Sequence, residues 1–341
     1  MMKKLLTVLL YLIMTASYSG YGQDIQFSQI YANSMYQNPA FAGSSHATRL
    51  ILHQRLQWPA IDAKYTTSFF SADSYFDKSR LGVGIIAFKD WQGSRNINSS
   101  DLSGIVAYQL PLSPELSVRV GLQGSYISRA INYNVLTFPD QYTSRGFTNT
   151  ATGEEFGSER INLFSVSSGT VLYSDNFWFG VSSHHMNQPA QSFYGEDSRL
   201  PMKLSFTSGY RISVINRKNA KGEVKESFTL TPTGHYKMQG KADQLDLGLY
   251  TIYNYLITGF WYRGIPVKKY NRNLHNNESI VLLAGLRYNM LSFTYSYDFT
   301  VSKLVAARTG GSHEINITYL VDWPKKKRKP MKRLPCPDFY K

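Results

Sequence analysis

The sequence predicts an all-β protein, a transmembrane antiparallel β-barrel of about 14 strands in the outer membrane of a Gram-negative bacterium. Three observations predict it. The chain opens with an export signal, its interior alternates apolar and polar residues over stretches long enough to cross a bilayer, and its connections are by turns short and long.

The export signal comes first. Lys3 and Lys4 give a positive start, an apolar run follows over residues 5–14, and small and polar residues lead to Gly20, Tyr21 and Gly22. The run is too short to span a bilayer as a helix, which takes roughly 20 apolar residues, but it suits the apolar core of a secretory signal. Cleavage is expected near Gly22. The sequence then divides into a signal peptide at 1–22, an N-terminal periplasmic or plug segment at 23–45, a barrel at 46–323 and a basic C-terminal tail at 324–341.

Composition narrows the class. No later segment has the 18 uninterrupted apolar residues of a membrane helix, yet 25 Tyr and 19 Phe are many for an exported chain of 341 residues. A membrane barrel accounts for both, because half of its strand residues meet lipid and half a polar lumen. The lone cysteine, Cys336, excludes an intrachain disulfide framework. The formal charge of +14 is unevenly placed. Lys325, Lys326, Lys327, Arg328, Lys329, Lys332, Arg333 and Lys341 stand against Asp338 alone. In a cytosolic protein such a run suggests nucleic acid. In an exported one it suits anionic lipid headgroups, cell-wall polymers or an acidic partner, so no nucleic-acid partner is expected.

The strand pattern is explicit. In 116–126, Leu116, Val118, Val120, Leu122 and Tyr126 share one face, opposite Ser117, Arg119, Gly121, Gln123 and Ser125. In 202–214, Leu204, Phe206, Tyr210 and Ile212 oppose Lys203, Ser205, Thr207, Arg211 and Ser213. In 291–301, Leu291, Phe293, Tyr295, Tyr297, Phe299 and Val301 alternate with Ser292, Thr294, Ser296, Asp298 and Thr300. Side chains of a strand point to opposite faces at each step, and runs of about 9–11 residues cross a bilayer at a tilt. Such segments start near His46, Lys64, Arg80, Ile97, Leu116, Ile161, Asn176, Leu200, Ser227, Asp243, Tyr255, Ser279, Met290 and Gly311.

The connections are a separate argument. If the first faces outside, the even-numbered ones are the short periplasmic turns: 76–79, 111–115, 174–175, Asn254 and Asn289, with 216–226 the one longer exception. The long ones fall mainly in the odd set, at 130–160, 187–199, 265–278 and 302–310. An even strand count places both termini in the periplasm.

No chemistry stands out. There is no Gly-x-Ser-x-Gly elbow, no phosphate-cradling glycine loop, no His-Glu-x-x-His and no paired-cysteine spacing. No catalytic residue, cofactor or metal is expected. Neighbours on a strand point apart, so His184 is expected in the lumen with Trp178, Gly180 and Ser182, and His185 on the lipid side. Glu154 and Glu155 read as solvated charges in the longest loop. The loops 142–160 and 187–199 serve either as cover over the barrel mouth or as a contact surface.

Ahead of the barrel, residues 23–43 read QDIQFSQIYANSMYQNPAFAG, aromatic but without clean alternation, and Pro39 breaks any strand there. This opening resembles that of the PorP/SprF family, barrel proteins of the type IX secretion and gliding-motility apparatus of Bacteroidetes. The family motif falls on Asn38, Pro39, Ala40, Phe41, Ala42 and Gly43, and Arg80-Leu81-Gly82-Val83-Gly84 opens a strand as in members. The basic tail does not map onto a family motif.

The resemblance implies a non-enzymatic role. The barrel would work with other type IX secretion components, assist export or surface anchoring of adhesin-type proteins, and contact the secreted protein or its C-terminal sorting domain. The N-terminal segment and the tail, with Lys325, Lys326, Lys327, Arg328, Lys329, Lys332 and Arg333 as candidate contacts, would face periplasmic machinery. Two other readings compete. One is an outer-membrane channel for small solutes, its inward Arg119, Lys203 and Arg211 favouring anions. The other is a surface protein without a secretion role.

Overall fold

The computed structural model describes residues 24–45, 47–93, 96–148, 151–195, 198–218, 224–271, 274–302 and 308–321. The expected signal peptide and the basic tail, including Lys325 to Lys329, Lys332 and Arg333, lie outside the described residues.

The architecture is the expected one: a closed 14-strand antiparallel barrel. In chain order the strands are β1 Thr48–Gln57, β2 Tyr65–Phe76, β3 Leu81–Gln92, β4 Ile97–Pro111, β5 Ser117–Ile131, β6 Arg160–Tyr173 and β7 Phe177–His184. Then come β8, in two pieces Lys203–Tyr210 and Ile212–Lys218, β9 Val224–Gln239, β10 Ala242–Tyr253, β11 Leu256–Asn271, β12 Leu274–Tyr288, β13 Leu291–Thr300 and β14 Ser312–Val321. Each strand pairs with its sequence neighbours, and β1 closes on β14 from Thr48↔Val321 to Gln57↔Ser312. Closure leaves no sheet edge, which a bilayer demands because it offers no partner to an unpaired backbone group.

The faces are inverted relative to a soluble protein. Along β5, Ser117, Arg119 and Ser125 are buried while Val120, Leu122 and Tyr126 are exposed. Leu122 and Leu286 are more than 60% exposed, which only an apolar surrounding makes favourable. Phe76, Tyr108, Phe177, Tyr210, Tyr288 and Tyr319, all exposed, lie close to the strand ends on the side where the chain enters and leaves. They resemble the aromatic girdle that sits at headgroup level in such barrels.

At that entry end the turns are short. Arg80, Asn254 and Asn289 adopt left-handed backbone within them, as tight hairpins require. At the opposite, far end lie the long connections 132–159 and 185–202.

Two expected loops are strand instead. β11 runs on to Asn271 and β12 starts at Leu274, and β8 and β9 continue to Lys218 and from Val224. Register shifts at Arg263/Gly264, Ile265/Lys269, Ser213/Ile215 and Arg217/Lys218 explain the difference. Each bulge inserts a residue and shifts the alternation, so the period-two pattern fades where the ladder does not.

Fourteen strands enclose more space than their own side chains fill. The N-terminal segment occupies it. Residues 27–45 are buried along their whole length inside the barrel, including the one-turn helix α1 Ser34–Gln37 and a 3-10 turn at Pro39–Phe41.

Candidate functional site

The lumen is built in three tiers from the entry end to the far end. At the entry end sits the motif Asn38 to Gly43. Asn38 caps the 3-10 turn, its Oδ1 accepting from the Ala40 amide at 2.9 Å. Its Nδ2 donates to the wall carbonyls of Thr170 and Val181, at 3.3 and 3.1 Å. Pro39 fits the first turn position, where no N–H is needed. Arg119, fully buried, donates to the carbonyls of Ala40 and Ala42 and to Gln109 Oε1. The Gly43 amide donates to Asp73 Oδ2 at 2.7 Å, and Arg49 holds Asp73 Oδ1 at 2.8 Å.

The wall is hollowed to admit this motif. A Cβ on Gly169 would lie 2.0 Å from Asn38 Oδ1, one on Gly121 would lie 2.4 Å from Ala40 N, and one on Gly82 would lie 2.0 Å from the Ala42 carbonyl oxygen. Side chains there are excluded by the segment itself.

The middle tier combines an aromatic cluster and a charge cluster. The Tyr31 ring lies 5.7 Å from those of Trp178 and Tyr250 and 5.8 Å from that of Trp261. Phe27 packs edge-on against Tyr36, His53 and Phe69. Beside them the Ser28 and Gln29 amides donate to the two oxygens of Glu314, at 2.7 and 2.9 Å. Arg55 pairs with Glu314 and Asp298, and Arg263 bridges Asp298 at 3.2 Å and Asp246 at 2.8 Å. Buried charges persist only when paired and hydrogen-bonded, and here the plug's own amides complete the set.

The far tier is a latch at the start of the described chain. Asp24 lies 2.7 Å from Lys203 Nζ and 3.0 Å from His185 Nε2, and its amide donates to Gln239 Oε1 at 3.1 Å. His185 is therefore inside the barrel rather than on the lipid side expected from the sequence. It takes a left-handed conformation (φ 56°) just past the end of β7, which turns its ring inward onto Ser165 Oγ at 2.8 Å. His184 is in the lumen as expected, its Nε2 3.1 Å from the Tyr36 carbonyl oxygen. Both rings are thus engaged by the protein itself.

The inward cations named as an anion-favouring face are occupied. Arg119 is spent on the plug and Lys203 on Asp24, while Arg211 sits at the break in β8 and donates to the Asp175 carbonyl at 2.7 Å. The sequence did not single out Asp24, Asp298 or Glu314. Period two marks the last two as inward charges, but the plug residues that bond them, Ser28 and Gln29, lie more than 200 residues away.

Above the plug the far end holds a cavity of about 520 Å³. Its floor is Tyr36, Ile25 and the latch, and its walls come chiefly from β2 to β5. One side of the mouth carries the folded loops 132–159 and 185–202. Tyr133 stacks on Phe156 at 4.6 Å, and the Ser158 amide donates to the Phe193 carbonyl. Asp140 accepts from the Gly153 amide at 2.7 Å and Thr152 Oγ1 at 2.8 Å, bonds that hold its carboxyl below the usual range. Glu154 and Glu155 are exposed in the same loop.

Comparison with known proteins gives a family match over nearly the whole chain. The model of the type IX secretion system membrane protein PorP/SprF matches residues 19–319. No curated protein matches the chain. Among solved structures, the toluene transporter TbuX of Ralstonia pickettii is similar at 10% identity and TM-score 0.46, over 84% of this chain and 92% of that one. The Pseudomonas putida toluene transporter TodX gives 10% and 0.46, over 85% and 93%. A Pseudomonas aeruginosa FadL homologue gives 11% and 0.40, over 88% and 99%.

Proposed function

Because the chain belongs to the PorP/SprF family of type IX secretion system membrane proteins, we propose that it is a non-enzymatic docking barrel of that machinery, assisting export or surface anchoring of secreted adhesin-type proteins. The observation that carries this reading is the filled lumen. Residues 27–45 are buried within the barrel, and the segment from Asp24 onward is bonded to its wall at all three tiers, so the fold serves as a rigid body with two differentiated ends rather than as a conduit. A diffusive channel for small solutes would need the volume that the plug takes.

The end with the short turns faces the periplasm in this proposal, and the basic tail follows β14 there, where its lysines and arginines meet acidic machinery or anionic headgroups. The far end, with the loops 132–159 and 185–202, meets the secreted protein or its C-terminal sorting domain.

The test is a gene deletion read by mass spectrometry of the cell surface and culture medium, beside a strain lacking only residues 325–341. The expected outcome is loss of one or a few large surface proteins in the deletion strain, and the same loss with the barrel still inserted in the truncated strain. An unchanged surface proteome with impaired uptake of a solute would overturn the docking reading in favour of a channel. An unchanged surface proteome in the truncated strain alone would remove the tail from the proposal.

A further inference from the structure

The cavity above the plug has a lining that the secretion role does not use. Its walls follow the strand registers in rows from mouth to floor. Nearest the mouth Tyr65 faces Gln92; next Thr67, Asp90, Ser99 and Arg129 lie side by side across β2 to β5; below them come Phe88, Asp101 and Ile127, and then Ser103 opposite Ser125. Aromatic rings and hydrogen-bonding groups therefore alternate with depth. Trp58 packs edge-on to Tyr65 at 5.6 Å at the mouth, and Phe88, half-buried, is flanked by Phe69 and Tyr36 lower down.

The charges of this wall are left open. Lys203 is neutralised by Asp24, and Arg55 by Glu314 and Asp298. Asp90 meets only neutral donors, Thr67 Oγ1 at 2.6 Å and Gln92 Nε2 at 3.0 Å. Asp101, about nine-tenths buried, accepts from the Ser103 hydroxyl at 2.5 Å. Neither carboxylate forms an ion pair within 4 Å among the described residues. Arg129 donates to the Gln191 amide oxygen and forms no ion pair within 4 Å among them. Gln123, which lines the floor and is 92% buried, donates to Ser103 and Ser125 while its Oε1 has no partner.

We propose that this cavity is a binding site for a neutral saccharide. A sugar ring presents at least one face of C–H groups that stacks on an aromatic ring, while its rim of hydroxyls both donates and accepts. The alternation of Phe88 and Trp58 with Asp90, Asp101, Arg129 and the serines answers both needs. The carboxylates accept sugar hydroxyls in charge-assisted bonds, which are stronger than neutral ones. An anion would face Asp90 and Asp101, and a cation would face Arg129, so a neutral ligand meets the least opposition. The volume, about 520 Å³, falls within the range of small-ligand sites, roughly 300–1,000 Å³. The floor is closed by the plug, so the site binds from the far mouth and does not conduct. It stands independently of the secretion role.

The test uses the full chain purified in detergent, applied to an array of neutral, N-acetylated and acidic mono- to tetrasaccharides, with calorimetry on the saccharide retained. The expected result is retention of a neutral saccharide, weakened about tenfold or more in both Phe88→Ala and Asp101→Asn, a loss of about 1.4 kcal/mol per tenfold. The melting temperature of each variant should stay near that of the parent, and Asp90→Asn replaces either one that does not fold. No retained saccharide, retention of acidic ones alone, or retention unchanged in the variants would overturn the proposal. So would binding of a tri-lysine peptide in preference to every saccharide, which would mark the wall as a site for cationic chains.

Discussion

At the scale of single residues, the plug is held by groups whose meaning lies in what they displace. Gly169 sits on a strand interior, where glycine usually weakens a sheet, because Asn38 occupies the space of its side chain. Gly104 also lies within a strand, but it faces outward, and a Cβ added there would meet nothing within 4 Å. The two make a matched pair. Gly169→Val should unseat the motif, at a cost of about 1–3 kcal/mol for overpacking, while Gly104→Val leaves it in place. Limited proteolysis of the folded barrel reads the difference as new cleavage within residues 24–45 in the first variant only. Equal protection of that segment in both would mean that the wall glycines do not seat it. His185 teaches the same lesson from the other direction. Alternation alone puts it on the lipid side, and the left-handed residue past the strand end reverses that, a local backbone choice that no periodicity carries.

At the scale of elements, the sequence is most legible where the ladder is regular. β5 and β13 follow the alternation residue for residue, and the short turns at Asn254 and Asn289 fall at the expected positions. Legibility ends at bulges, as in β11 and β12, where the chain stays in the sheet while its pattern drifts. It ends again in the loops, whose order comes from side-chain bonds to backbone rather than from period. Asp140 is the clearest case. Its carboxyl, held below the usual range by the Gly153 amide and the Thr152 hydroxyl, stabilises the ordered loop above the ordinary carboxylate pKa. That contribution is lost only as pH falls through the depressed value. Hydrogen exchange at the Gly153 amide should therefore be equally protected, after correction for intrinsic rate, from pH 5 to pH 8. Asp140→Ala should speed it on the order of tenfold, and protection unchanged by that substitution would remove Asp140 as the organiser of the loop.

At the scale of the whole molecule, the question is why a barrel this wide needs its own N-terminus inside it. The 14-strand wall pairs Arg55 and Arg263 with Asp246, Asp298 and Glu314 across its own face, but among the described residues Arg119 and Lys203 form no ion pair with a wall carboxylate. The plug supplies the missing partners: the Ser28 and Gln29 amides for Glu314, the Ala40 and Ala42 carbonyls for Arg119, and Asp24 for Lys203. None of this pairing is visible along the sequence, because it joins residues from 77 to 286 positions apart. The same pairing makes conductance the decisive whole-molecule observable. In planar bilayers the intact protein should give no steady pore, whereas a chain lacking residues 24–41 should give a stable one, since the strands close on each other from β1 to β14 without the plug's help. The charge of Lys203, released with the loss of Asp24, makes that pore salt-dependent, while Glu314 keeps its Arg55 partner on the wall. A steady open pore in the intact protein would mean that the segment leaves the lumen in the membrane, and the docking role would then have to be reconciled with a channel.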